Sequence, residues 1–90
     1  MNIRIDSHTS ASVAEQVAAG IRRALINQEI RVGEALPSAR DLVRVNRVSP
    51  VAVSEALRAL EKEGMIIRGA IEGSYVAAPS KDQGTKRGQP

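Results

Sequence analysis

The groups in this chain with the most chemical reach are guanidiniums. Arg40, Arg44, Arg47 and Arg58 fall in one stretch and can share a face, an arrangement suited to clamping phosphates. Ser49, Pro50, Val51 and Ser54 stand among them, and Arg68 and Gly73 follow further on. For each arginine the plain alternative is solvated surface charge, paired for instance with Asp41 or Glu55. Val51 also has two readings. It can touch a thymine methyl in a groove, or join Pro50 and Ile71 in an exposed apolar patch that binds another protein. Catalysis has no comparable support. No nucleophile stands beside a base, and there is no glycine-rich phosphate loop and no evident pair of carboxylates. His8 is the only histidine and cysteine is absent, so neither a metal nor any other cofactor is expected.

These residues need a frame, and the stretch from Leu36 to Gly64 supplies it. Ser38 can cap a first helix, with Asp41 three residues later, and Leu42 and Val45 give that helix an apolar stripe. Ser49 is a natural N-cap for a second helix, and Pro50 suits its first position, where a missing N–H costs nothing. Val53, Ala56, Leu57 and Leu60 then recur at helical period. Gly64 is placed to end the helix as its C′ residue. A short helix, a tight turn and a longer helix make a helix-turn-helix unit.

Upstream, Ile3 and Ile5 alternate with polar neighbours, which points to a short strand or an extended arm. Ser12 and Glu15 form a capping box that opens a long helix striped by Val17, Ile21 and Leu25. Gly20 inside that helix permits close packing. Downstream, Met65–Arg68 and Ser74–Ala77 read as two strands joined through Gly69–Gly73. The expected elements are helices near 12–28, 38–46 and 49–63 and a hairpin near 65–78. This is a mainly α winged helix-turn-helix domain over residues 1–79. Residues 80–90 hold no apolar side chain and are expected to form a disordered basic tail.

Length and charge narrow the classes further. Ninety residues make one small domain, near the size at which a single aliphatic core barely suffices. The net charge of +3 is concentrated in the tail, where Lys81, Lys86 and Arg87 face only Asp82. The stretch 34–64 is neutral, with five cations and five anions, so only the distribution of charge there can favour nucleic acid. No apolar run approaches the roughly 20 residues that span a bilayer, and the N-terminus lacks a signal-peptide core. The expectation is a cytoplasmic protein with no membrane partner. A single aromatic residue leaves no platform for stacking RNA bases.

Gly33, LPSAR at 36–40, VS at 48–49, SEALRALEKEG at 54–64 and EGSYV at 72–76 together resemble the DNA-binding domain of GntR-type regulators. IRID and AEQVAAGIRRALINQ are similar to that family's opening arm and first helix, and the resemblance covers roughly residues 3–78. It implies a bacterial transcriptional regulator, with a repressor acting as a homodimer on double-stranded DNA with a two-fold operator as the expectation. The helix at 49–63 would enter the major groove, and the wing would touch the adjacent minor groove or backbone. By position, Arg40 matches a DNA-contacting arginine, Ser49 the hydroxyl residue that starts the recognition helix, and Gly73-Ser74 the end of the wing motif. Pro50 and Ser54 stand where the family usually has arginines, and Val51 and Ala52 where polar residues are usual. The wing tip Ala70-Ile71-Glu72 lacks the usual glycine and basic residue. These departures keep a second function in view: a winged helix whose Val51 and Ile71 face binds a protein such as another regulator. Family members carry a C-terminal effector-binding domain, and this chain ends soon after its wing, so no small-molecule sensing is expected by that route.

Overall fold

A computed structural model describes residues 1–71 and 74–79. Three helices, α1 (Val13–Ile26), α2 (Ala39–Asn46) and α3 (Pro50–Lys62), precede an antiparallel hairpin of β1 (Ile66–Arg68) and β2 (Tyr75–Ala77). Each helix starts where a serine can accept from a backbone N–H. Ser12 and Glu15 close a reciprocal capping box, Ser38 accepts from Asp41 N–H, and Ser49 accepts from Ala52 N–H. The ends are set by left-handed residues. Gly64 adopts φ 81°, and the Met65 and Gly64 amides return to the carbonyls of Leu60 and Glu61. Gln28 does the same work after α1 at φ 62°, with Glu29 N–H donating to Ala24 O at 2.8 Å. That closure stops α1 at Ile26, two residues short of the sequence expectation.

The core is aliphatic throughout. Val17, Ile21, Leu42, Val53, Leu60 and Ile66 are its largest fully buried side chains, and no polar or charged residue is buried among the described residues. Tyr75 packs against this core half-buried. The stripe of α2 differs from expectation. Ala39, Leu42, Val43 and Asn46 face inward at i, i+3, i+4 and i+7, while Val45 remains 42% exposed.

Asn46 belongs to that stripe because the N-terminal arm satisfies it. Its Oδ1 accepts from Ile3 N–H at 2.7 Å, and its Nδ2 donates to Met1 O and Leu42 O. Further along, Gln16 accepts from Asp6 N–H and donates to Asp6 O. The arm is therefore held by side-chain amides and pairs with no strand among the described residues. A Cβ on Gly20 would lie 2.6 Å from Cγ2 of Ile3, so the glycine is what admits the arm against α1.

The hairpin also has a third partner. Ala35 bridges Val76, with Gly33 N–H donating to Ala77 O at 2.8 Å and Leu36 N–H to Tyr75 O at 2.9 Å. The segment leading into α2 is thus sewn to the wing, which fixes where the helix-turn-helix begins. Among the described residues no helix is long and apolar enough to cross a membrane, and no acidic or histidine cluster could hold a metal ion. Gly73 and the tail from Ser80 lie outside the described residues.

Candidate nucleic-acid interface

The geometry of α3 decides which side chains face outward. Ala52, Val53, Ala56, Leu57 and Leu60 are buried. Pro50, Val51, Ser54, Glu55, Arg58, Ala59 and Lys62 are exposed. At 3.6 residues per turn, the line most nearly opposite the buried face runs through Val51 and Arg58. Ser54 flanks it on one side and Glu55 on the other. Ala52, at a position usually polar in the resemblance, turns inward and is unavailable to a partner.

The arginines divide into two groups. Arg44 is held by Asp41 at 2.7 Å along α2, and Arg68 by Glu61 at 3.1 Å, its guanidinium also 6.0 Å above the Tyr75 ring. The hydrogen bond to Glu61 and that carboxylate's charge raise the pKa of Arg68 above its ordinary value. Arg40, Arg47 and Arg58 form no ion pair among the described residues. Arg40 is exposed in the first turn of α2, where the helix dipole also favours an anion. Arg47 sits in the turn between α2 and α3 at φ 55°, a left-handed conformation costly for a residue with a Cβ. Ser49 spends its acceptor on the cap of α3 and keeps its O–H free to donate.

The helix-turn-helix therefore presents three guanidinium groups without an ionic partner among the described residues, around an outward helix line that begins with an apolar side chain. Free cations can neutralise phosphates, and the exposed line of α3 is slim enough to enter a major groove. Glu55 is the one polar group on this face that sequence reading treated only as a partner for arginines. Its signal was its spacing, four residues after Val51. Ile71, on the wing loop, is 76% exposed and Val51 is 65% exposed.

The sequence model described as "Bacterial regulatory proteins, gntR family" matches residues 13–76, from the first residue of α1 to the middle of β2. This chain belongs to that family. It is 32% identical over 81 residues to the HTH-type transcriptional repressor YtrA of Bacillus subtilis, covering 88% of this chain and 61% of that one. It is 38% identical over 73 residues to the HTH-type transcriptional repressor NanR of an Enterobacter strain, covering 81% of this chain and 26% of that one. The chain thus spans less than two-thirds of either relative. Among solved structures, YtrA from Sulfolobus acidocaldarius, a GntR-family transcription factor, superposes with a TM-score of 0.80 at 27% identity, covering 94% of this chain and 88% of that one. The winged-helix architecture of the GntR family is the architecture found here.

Proposed function

We propose that this protein is a sequence-specific DNA-binding transcriptional regulator, a repressor that acts as a homodimer on a two-fold operator. The observation that carries the reading is the outward line of α3, flanked by unpaired arginines, in a chain of the gntR family. α3 lies in the major groove, and Arg40 and Arg47 hold phosphates on either side of its N-terminus. The hairpin follows the adjacent minor groove or backbone. Similarity to the repressors YtrA and NanR supports repression as the outcome. A dimer would place two α3 helices about one turn of DNA apart, which a two-fold operator matches.

The test is a salt-titrated binding measurement on the duplex upstream of the protein's own coding sequence, beside a random duplex. The expected result is tighter binding to the upstream duplex and a linear fall in log affinity with log salt. Equal affinity for both duplexes at every salt concentration would overturn sequence specificity. It would favour the second reading, a winged-helix module that docks a protein through exposed Val51 and Ile71.

A further inference from the structure

We infer that Arg58 is the base reader of α3, recognising a guanine about three base pairs from a thymine whose methyl group contacts Val51. The inference rests on the DNA-binding reading above and names what that site recognises.

Three observations converge on Arg58. It shares the centre of the exposed face with Val51, because seven residues complete almost two turns and return the side chain to the same direction. Pro50, Val51 and Ala59 offer no hydrogen bond from their side chains, Ser54 is short, and the Glu55 carboxylate only accepts, so it has nothing to give guanine O6 or N7. Lys62 is a point charge in the last turn, so Arg58 alone has the planar fork that matches guanine O6 and N7 together. The third observation is its freedom. Arg22, Arg44 and Arg68 each hold a carboxylate, whereas Arg58 has no ion pair among the described residues, even with Glu55 one turn away.

The spacing then converts into a sequence pattern. Seven residues rise about 10.5 Å along the helix axis. With α3 lying along the groove, that is about three steps of 3.4 Å. Val51 and Arg58 thus address two positions of one half-site, one recognised by apolar contact and the other by a bidentate hydrogen bond. The usual reading end of the helix, Pro50 to Ser54, supplies shape while the discriminating fork stands two turns further on.

The experiment is a selection from a duplex pool with a randomised core, using the full chain and its Arg58→Ala and Arg58→Lys variants. Circular dichroism checks that each variant folds, as an exposed and unpaired side chain predicts. Wild type should enrich a guanine about three positions from a thymine. Arg58→Ala should lose roughly 10- to 100-fold of the preference at the guanine alone. Arg58→Lys keeps the charge without the fork and should lose the same preference while retaining the salt slope. A selected motif that both variants keep intact, with binding weakened equally on all sequences in Arg58→Ala, would make Arg58 a phosphate contact and overturn the inference alone. No motif enriched by wild type would overturn the sequence-specific reading and the inference together.

Discussion

The two ends of α3 are built differently. At and just beyond the C-terminal end, charge is consumed internally: Glu61 holds Arg68 of β1, and Glu63 holds Arg22 of α1 at 2.7 Å. At the N-terminal end, Pro50, Val51 and Ser54 are exposed, and neither Arg47 before them nor Arg40 on α2 has an ionic partner among the described residues. The neutral charge balance of residues 34–64 concealed this asymmetry. One end fixes the helix against its neighbours, and the other leaves its arginines without ionic partners among the described residues.

That contrast can be broken at several strengths. The frame beneath both ends is apolar, and Leu60 is fully buried within it. Leu60→Ala should cost roughly 2–5 kcal/mol by denaturant titration and erase both ends together. A loss below about half a kcal/mol would mean that the buried face has been misassigned. Asn46→Ala removes the acceptor of Ile3 N–H and the donor to Met1 O, and should cost about 1–3 kcal/mol. Amide exchange at Ile3 should accelerate with it; an unchanged rate would show that the arm is held by packing alone.

The smallest stability effects should separate the two ends most cleanly. Glu63→Gln breaks an exposed ion pair, so its cost should stay below about 1 kcal/mol, with DNA affinity nearly unchanged. Arg40→Ala should leave stability within about half a kcal/mol. It should nevertheless weaken binding to every duplex and lower the salt slope by about one. If the two variants exchanged these effects, the assignment of the ends would be reversed.

Much of the frame was legible in the sequence because local signals agreed with the global fold. Ser12, Ser38 and Ser49 cap the helices, Gly64 ends α3, and Gly20 marks the close approach of the arm. What remained illegible depended on long-range partners. Asn46 looks like the end of an apolar run until the arm, more than forty residues away, satisfies its amide. This hid the true stripe of α2 and made Val45 look buried. The Gly33–Leu36 ladder was hidden too, since a four-residue segment before Pro37 has no strand signal without β2 beside it. In the candidate interface the residue types were legible, but the sorting of paired from unpaired arginines was not. Arg44 and Arg68 have the same chemistry as Arg40 and Arg58, and only the positions of Asp41 and Glu61 distinguish them.

The proposed contact with DNA runs from the N-terminal end of α3 along its outward line to Arg58, with Arg40 and Arg47 beside it. It is tested most directly by following the backbone amide resonances of the full chain during titration with a duplex recovered by selection. The largest shifts are expected at Arg40, at Arg47–Ser49, at Val51–Ser54 and at Arg58, with Arg22 and Glu63 little changed. Largest shifts at Arg22 and Glu63, with Arg47–Ser49 and Val51–Ser54 silent, would contradict it.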